Sequence, residues 1–306
     1  CYTRDMNKPK VMAIVGPTSS GKTSLSIDIA KKFRGEVISA DSRQVYRGMD
    51  LGTGKVIKEE ADGIPHHLLD IADPMEVYNA AMFEHDAKIS IAEISKRGNL
   101  PIITGGSSFY IDLLRGQLQS APVPPNEEFR TGLEKFSNAE LFKKIAAADP
   151  RRAEMIDPDN RHRLIRALEI INVLGVVPES TKSESDYNWL VLGVQVEKEK
   201  LHQNIHQRLE QRINDGMIEE VKRLHSAGLT YERMDKLGLE YRYVAKYLQN
   251  ELSLEEMTEQ LEYKIKQYAK RQMTWLKKDK EIVWVAPENR EAIFRLVINF
   301  LQEQPS

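Results

Sequence analysis

The glycine-rich segment that directly follows the first apolar run most constrains how this chain can fold. Residues 11–15, Val-Met-Ala-Ile-Val, are short, apolar and partly β-branched, which is typical of a buried strand. The next segment, Gly16-Pro17-Thr18-Ser19-Ser20-Gly21-Lys22-Thr23, matches G-x-x-x-x-G-K-[ST], and a helix is predicted from Lys22 to about Phe33. In such a loop the backbone N–H groups point at phosphate oxygens, the lysine adds positive charge, and the Thr23 hydroxyl can ligate Mg²⁺. The pattern predicts a site for a di- or triphosphate without naming the reaction.

Strands and helices alternate along much of the chain, as in a parallel sheet covered by helices. Further strands are predicted at residues 36–40, 101–104, 187–196 and 282–285, and further helices at 80–97, 198–215, 216–226, 253–278 and 290–302. Pro122, Pro124 and Pro125 break this rhythm, and the segments from 126 to 174 have helical patterns only. We therefore predict an α/β fold. A P-loop NTPase-like parallel sheet flanked by helices is formed by residues 1–118 and 187–306, with an inserted all-helical domain at 119–186.

Composition limits the class of protein. The chain has 306 residues, 41% hydrophobic and 29% charged, which is typical of a globular enzyme. Its net charge of −2 indicates no general attraction to nucleic acid, so the local distribution of charge must decide that question. The single cysteine, Cys1, excludes an intrachain disulfide, no apolar run approaches membrane-spanning length, and residues 1–10 lack the apolar stretch of a secretory signal. We expect a cytoplasmic protein without membrane contact, and we expect a monomer.

The chemistry served by the phosphate loop stays open at this point. A kinase of a small alcohol or a nucleoside would use the loop for ATP, and a group transferase would use it for another diphosphate. A nucleotide-dependent switch or motor fits less well, because the apolar strand at residues 101–104 ends in Gly105-Gly106 and not in an aspartate that could bind Mg²⁺. Asp41 stands at the carboxyl end of the second predicted strand, where ligands gather in open α/β sheets. It could serve there as a general base, and Asp41-Ser42 is equally consistent with a turn.

Several further segments, in a fixed order over nearly the whole chain, carry a family resemblance. They are residues 41–53 (DSRQVYRGMDLGT), 65–70 (PHHLLD) with Asp73-Pro74, 105–110 (GGSSFY), 163–169 (RLIRALE), Arg208 with Arg212 before Gly216-Met217, and 270–275 (KRQMTW). With the phosphate loop, they resemble the bacterial tRNA dimethylallyltransferases, also called tRNA isopentenyltransferases. Two positions depart from that pattern: Ser107-Ser108 stands where Thr-Gly is usual, and Glu240 stands where a glycine is usual.

The resemblance implies transfer of a dimethylallyl group from dimethylallyl diphosphate to N6 of the adenosine just 3′ of the anticodon in tRNA. The phosphate loop would then hold the leaving diphosphate with Mg²⁺ on Thr23, because negative charge grows there as the allylic C–O bond breaks. The residues expected to act in catalysis are Asp41 as the base, Lys22, Thr23 and Ser107. Those expected to bind the diphosphate are Gly16, Thr18, Ser19, Ser20, Gly21, Lys22, Thr23 and Arg212.

A basic run near the carboxyl end of the chain is a candidate surface for RNA. Residues 264–280 contain seven Lys or Arg and one acid, Asp279, with Tyr268 and Trp275 among them. Taken alone, such a run is more often a solvated helix face. The resemblance implies contacts between the anticodon stem-loop and the inserted domain as well as the catalytic part. The residues expected to bind tRNA are Asp41, Ser42, Arg43, Gln44, Ser107, Arg130, His162, Arg163, Leu164, Ile165, Arg166 and Arg271.

Two alternatives to this function stay open. A P-loop kinase of a small molecule or nucleoside predicts tight ATP binding and phosphate transfer. A prenyltransferase acting on free adenine nucleotide keeps the chemistry and changes the acceptor. A small acceptor would need neither the helical insert nor two basic runs, one at residues 264–280 and one in the insert, formed by Arg151, Arg152, Arg161, Arg163 and Arg166. A pure RNA-binding module would leave the phosphate loop unexplained.

Overall fold

A six-stranded, fully parallel sheet forms the centre of the larger part of the protein. The computed structural model describes residues 8–179 and 182–303. The strands are β1 (Lys10–Val15), β2 (Gly35–Ser39), β3 (His66–His67), β4 (Leu100–Gly105), β5 (Asn188–Val194) and β6 (Val283–Val285). Their order across the sheet is β3-β2-β4-β1-β5-β6, and all neighbouring strands run parallel. The predicted fold class is confirmed, and β4 lies between β1 and β2.

Helices make up most of the remaining described structure. They are α1 (Lys22–Phe33), α2 (Lys58–Ala61), α3 (Ala80–Lys96), α4 (Ser108–Leu114), α5 (Glu127–Leu133), α6 (Asn138–Ala148), α7 (Pro150–Met155), α8 (Arg161–Leu174), α9 (Lys198–Asn214), α10 (Met217–Ser226), α11 (Tyr231–Leu237), α12 (Leu239–Leu248), α13 (Leu254–Leu276) and α14 (Arg290–Gln302). Side-chain caps fix several of their starts, as where Asn79 accepts hydrogen bonds from the N–H groups of Ala81 and Met82. In the described parts of the chain, no helix combines the length and apolar character needed to cross a bilayer.

Alternate residues of each strand enter different hydrophobic cores, because successive side chains of a strand point to opposite faces of the sheet. On one face, Val11, Ala13 and Val15 of β1 pack in a core that includes residues of α3, α4 and α9 to α13. On the other face, Met12 and Ile14 pack in a core with residues of α1 and α14. The sheet is therefore covered on both faces, as the continuous apolar run of β1 predicts.

The chain divides into two compact units. Of the described residues, those up to Arg115 and from Glu184 onward form one unit, and those between Gly116 and Ser183 form the other. The second unit contains α5 to α8, which are built around a core that includes Leu141, Ile145 and Leu164. Both limits lie three residues before the predicted limits of the insert, 119 and 186.

Strand β3 and the helices α2, α11 and α12 were not predicted from the sequence. The sequence prediction assigned no element between residues 227 and 252, where α11 and α12 lie on either side of Gly238. The signals were present, since the Thr230 side chain caps α11 and buried Met234, Leu237 and Tyr241 follow helical spacing. Short helices interrupted by a glycine give a weak periodic signal, which explains the omission.

Candidate active site

The phosphate loop joins the end of β1 to the start of α1. Gly21 immediately precedes α1 with φ of 89°, and Ser19 has φ of 61°, so both adopt the left-handed backbone conformation. The side-chain amide of Asn204 on α9 donates to the Ser19 carbonyl oxygen at 3.2 Å. Lys22 Nζ donates to the Pro17 carbonyl oxygen at 2.6 Å. The loop is therefore held in shape by its own lysine and by a side chain from α9.

Ser20 contributes a buried hydroxyl to this loop. Its residue is 3% exposed, and its Oγ atom has no hydrogen-bond partner among the described residues. A Cβ atom placed on Gly16 would lie 2.9 Å from that oxygen, so the glycine leaves room for it. An unsatisfied buried hydroxyl costs about 1–3 kcal/mol, and a ligand oxygen that accepts a hydrogen bond from it would remove that cost. Ser20 therefore supports an oxygen-rich ligand at the loop.

The ammonium group of Lys22 lies in an environment that disfavours its charge. Burial and the positive charge of Arg208 lower the pKa of Lys22 from 10.5 to about 7, while the negative charge of Asp41 acts in the opposite direction. An anionic ligand beside the ammonium group would favour its protonated form. A negatively charged ligand would therefore be stabilised at the position where the sequence motif predicts phosphate binding.

Gln272 of α13 joins the phosphate loop to the loop that follows β4. Its Oε1 atom accepts a hydrogen bond from the Thr18 N–H group at 2.9 Å, and its amide nitrogen donates to the Gly106 carbonyl oxygen at 2.9 Å. Gln272 is 6% exposed, and a Cβ atom on Gly106 would lie 2.4 Å from its amide nitrogen. Both loops are therefore fixed relative to each other by one buried side chain.

Asp41 and Ser107 lie on two connected loops at the carboxyl ends of β2 and β4. Asp41 Oδ1 accepts hydrogen bonds from the N–H groups of Arg43 at 2.8 Å and Gln44 at 3.4 Å, so a single carboxylate oxygen holds the turn. Ser107 Oγ accepts a hydrogen bond from the Ser42 N–H group at 3.3 Å and does not cap α4. Ser107 thus supports the turn that carries Asp41.

Close backbone contact keeps these two loops together. The Ala40 carbonyl oxygen accepts a hydrogen bond from the Ser107 N–H group at 3.2 Å. A Cβ atom on Gly105 would lie 2.1 Å from that same carbonyl oxygen, so only glycine permits the approach. Close packing against Ala40 therefore explains why a glycine stands at the end of β4.

Two arginines on one face of α9 extend the positive charge away from the phosphate loop. Arg208 donates to the Gly54 carbonyl oxygen at 3.2 Å, and a Cβ atom on Gly54 would lie 1.7 Å from Arg212 Nη2. Burial and Arg212 lower the pKa of Arg208 from 12.5 to about 10, so its guanidinium stays charged at neutral pH. Arg212 Nη1 lies 3.5 Å from Oε1 of Glu240. Of the two arginines, it is Arg208 whose charge acts on Lys22.

The turn that follows the Asp41 loop is anchored by a buried carboxylate. Glu220 of α10, 3% exposed, accepts hydrogen bonds from the N–H groups of Asp50, Leu51 and Gly52 at 2.9, 2.7 and 3.0 Å. It also accepts one from the Tyr241 hydroxyl at 2.7 Å. Sequence analysis missed Glu220, Gln272, Asn204 and Arg208 as contributors to the site. For Arg208 a signal existed, because it precedes Arg212 by one helical turn on the same face.

The basic run of residues 264–280 is largely exposed. Its exposed cations are Lys270, Arg271, Lys277, Lys278 and Lys280. Its one acid, Asp279, is paired with the buried Arg115, and Trp275 donates its indole N–H to Asp112 at 2.8 Å. The Arg271 guanidinium lies 5.8 Å from the ring centre of Tyr268. The surface thus combines exposed positive charge with accessible aromatic rings.

Within the helical unit, the predicted RNA-binding residues differ in accessibility. His162 and Arg163 are exposed, whereas Leu164 is fully buried in the core of the unit. Arg130 and Arg166 both pair with the buried Glu169. The Leu164 side chain is therefore not available to RNA, because it is needed to fill the core, and the two arginines support the unit through Glu169.

Known proteins resemble this chain over almost its whole length. The sequence pattern of the family described as IPP transferase matches residues 44–279. A tRNA dimethylallyltransferase from Anoxybacillus flavithermus is 42% identical over 90% of this chain and 89% of its own length. A tRNA dimethylallyltransferase from Thermomicrobium roseum is 41% identical over 91% of this chain and 87% of its own length.

Solved structures give the same result. A tRNA isopentenylpyrophosphate transferase from Bacillus halodurans has a TM-score of 0.74 and 35% identity, covering 97% of each chain. A eukaryotic dimethylallyltransferase acting on tRNA has a TM-score of 0.81 and 26% identity, covering 97% of this chain and 80% of that one. The extent of the sequence match, together with the phosphate loop and the Asp41 turn, shows that this chain belongs to the IPP transferase family, that of the tRNA dimethylallyltransferases.

Proposed function

We propose that this protein transfers the dimethylallyl group of dimethylallyl diphosphate to the exocyclic N6 of the adenosine 3′-adjacent to the anticodon in tRNA. This proposal rests mainly on the contacts of Gln272. Its side chain joins the phosphate loop to the loop that contains Ser107, and the Ser107 side chain supports the Asp41 turn. A phosphate-binding loop and a carboxylate thus belong to one rigid assembly. That arrangement suits transfer of a group from a diphosphate to a weakly acidic nucleophile.

The reaction forms an N–C bond, breaks a C–O bond and moves one proton from N6 to a base. N6 of adenine attacks C1 of the dimethylallyl group, and the C1–O bond breaks with its electron pair leaving on the diphosphate. The N6 lone pair is delocalised into the ring, so a base that removes a proton as the N–C bond forms speeds the attack. Asp41 is the proposed base, since one of its oxygens orients the carboxylate through the turn and the other can accept the proton.

Charge grows on the leaving diphosphate, and the residues of the loop are suited to stabilise it. The start of α1 provides backbone N–H groups, Ser20 provides a buried hydroxyl, and Lys22 provides a cation. Arg208 adds a second cation that acts on Lys22, and Arg212 lies on the same face of α9. A guanidinium can bind phosphate through two parallel hydrogen bonds.

The residues present suit Mg²⁺ bound mainly by the substrate. The Thr23 hydroxyl is exposed in the first turn of α1 and makes no hydrogen bond with the described residues. No group of three or more His, Cys, Asp or Glu residues in those residues could hold a metal. Mg²⁺ commonly keeps several waters and binds substrate phosphates with few protein ligands, so one hydroxyl is a suitable protein ligand. When bound there, the ion would neutralise charge on the diphosphate.

The acceptor proposed here is an RNA and not a free nucleotide. The exposed cations of residues 264–280 offer phosphate contacts, and Tyr268 and Trp275 offer aromatic faces near them. Gln272 and Arg271 are neighbours on α13, so the helix that fixes the phosphate loop also carries this surface. The adenosine would have to leave its stack to reach the site, as for other enzymes that act on a base. A monomeric state and a cytoplasmic location stay predictions from the sequence.

A transfer assay separates this function from that of a kinase. Unmodified tRNA would be incubated with the protein, Mg²⁺ and radiolabelled dimethylallyl diphosphate, and in parallel with γ-labelled ATP. We expect label in the tRNA from the prenyl donor only, and no label with Lys22→Ala. Transfer of label from ATP, with none from the prenyl donor, would show that the kinase alternative is right. Label on free adenosine monophosphate at the same rate as on tRNA would favour the small-acceptor prenyltransferase.

A further inference from the structure

Glu240 places a carboxylate at the far end of the cationic face of α9. It lies in the first turn of α12, and its Oε1 atom is 3.5 Å from Arg212 Nη1. The two side chains are 20% and 13% exposed, so solvent screens the pair only in part. Among the described residues, no other carboxylate lies within ion-pair distance of Arg212. Glu240 is thus its resident counter-ion.

The groups around Glu240 belong to the same site. Arg208 and Arg212 face it from α9, Asp41 from the loop after β2, and Tyr268 from α13. Burial raises the pKa of Glu240 and Asp41 adds to this, whereas Arg212 and Arg208 oppose it. A row of three positive charges therefore runs from the phosphate loop to this carboxylate, formed by Lys22, Arg208 and Arg212.

Glu240 also limits what Arg212 can do. The other side of the guanidinium is packed on Gly54, where even a methyl group would not fit. A diphosphate that used Arg212 would have to approach the group that Glu240 already contacts. Two anions at one guanidinium repel each other, and the repulsion is stronger where solvent is largely excluded.

We propose that Glu240 is a built-in competitor of the diphosphate, which occupies Arg212 in the free protein and is displaced from it when the diphosphate binds. The inference deepens the proposed function, since it rests on the assignment of Arg212 to the diphosphate. Its consequence is a weaker hold on the diphosphate and a faster release of it as product. Glu240 is a positioning residue in this scheme, because it acts through Arg212 and not on the reacting atoms.

Calorimetric titration with inorganic diphosphate and Mg²⁺ tests this proposal through a gain of binding. Glu240→Gln keeps the shape of the side chain, and Glu240→Gly removes it. We expect both variants to bind diphosphate roughly three- to tenfold more tightly than the wild type. Glu232→Gln is the matched control, since Glu232 pairs with Lys236 on the exposed side of α11, and it should leave the affinity unchanged. Damage to the fold would weaken binding, so it cannot imitate this result.

A double-mutant cycle locates the effect. In the background of Arg212→Met, removing the Glu240 charge should no longer tighten binding, because the guanidinium for which the two anions compete is gone. Unchanged or weaker diphosphate binding in both Glu240 variants would overturn the proposal. So would an equal gain in the presence and absence of Arg212.

The transfer assay keeps this result separate from the proposed function. If the wild type labels tRNA and the Glu240 variants bind diphosphate no more tightly, the competitor proposal fails and the transferase stands. If the variants bind more tightly and the wild type labels no tRNA, the competitor proposal stands and the transferase fails. In the variants that transfer, inhibition by product diphosphate should begin at a lower concentration than in the wild type.

Discussion

Thr18 and Gln272 lie 254 positions apart in the chain, and a hydrogen bond of 2.9 Å joins the backbone N–H group of the first to the side-chain oxygen of the second. This contact brings α13 to the phosphate loop. Since the amide nitrogen of Gln272 also binds the Gly106 carbonyl oxygen, the side chain uses both ends of its amide for this connection. An apolar residue at position 272 could form neither hydrogen bond.

We expect Gln272→Met, which preserves side-chain length, to lower kcat/KM for prenyl transfer by about tenfold or more. Two buried hydrogen bonds are lost, at about 1 kcal/mol each, and the Thr18 N–H group loses its fixed direction. Steady-state kinetics with tRNA and the prenyl donor measure this effect. Glu259→Gln, on an exposed position of the same helix outside the basic run, is the control and should retain wild-type kinetics. Equal kinetics of Gln272→Met and the wild type would contradict the positioning role of Gln272.

Asp41→Asn should reduce the rate of transfer by roughly 10²- to 10⁴-fold and leave diphosphate binding nearly unchanged. Asparagine keeps an oxygen that can accept the Arg43 N–H bond, so the turn should survive while the proton acceptor is lost. Single-turnover kinetics and diphosphate titration separate the two effects. If the variant fails to bind diphosphate, Asp41 shapes the phosphate site and is not assigned as the base.

Diphosphate affinity should fall as pH rises through about 7 in the free protein. The pKa of Lys22 is lowered to about 7, so the lysine is charged below that pH and becomes neutral above it. Because a bound diphosphate favours the charged form, binding above pH 7 must include uptake of a proton, and affinity decreases there. Titrations between pH 6 and 9 would be compared for the wild type and Lys22→Arg, whose guanidinium stays charged. A ratio of affinities that does not change with pH would refute this role of the lysine.

Charge reversal on the basic run should weaken tRNA binding in a salt-dependent manner. For Lys277→Glu and Lys278→Glu, we expect a lower affinity and a shallower slope of log K against log salt, by about one unit per lost phosphate contact. Filter binding at several salt concentrations measures the slope. Lys96→Glu, which changes an exposed lysine in the last turn of α3, serves as the control. An unchanged slope in the first two variants would remove the run from the RNA-binding surface.

The elements with strong local signals were predictable from the sequence. The phosphate loop, α1, and α14 at Arg290–Gln302 were predicted as they occur. In these cases the determining contacts lie within a few residues of one another. The predicted parallel sheet is also confirmed, since the alternation of apolar strands and amphipathic helices determines it.

What the sequence could not reveal depends on contacts between distant residues. In the sheet, β4 lies between β1 and β2, and no local sequence pattern encodes that strand order. Gln272 and Glu220 are polar residues on helical faces, which sequence patterns assign to solvent, and only the fold buries them. The Glu240 side chain was noticed as a departure from a family pattern, and its partner Arg212 became known only through the structure.

The position of β4 between β1 and β2 also sets a length scale for the proposed reaction. Neighbouring strands lie about 4.8 Å apart, so the loops that follow β1 and β2 begin about 10 Å apart. A base needs about 3 Å to the nitrogen whose proton it takes, and that nitrogen needs about 3 Å to the carbon it attacks. Together with the bond that breaks, these distances fill most of the gap. If β2 lay directly beside β1, Asp41 and the leaving group would be too close for an adenine nitrogen and an allylic carbon to fit between them.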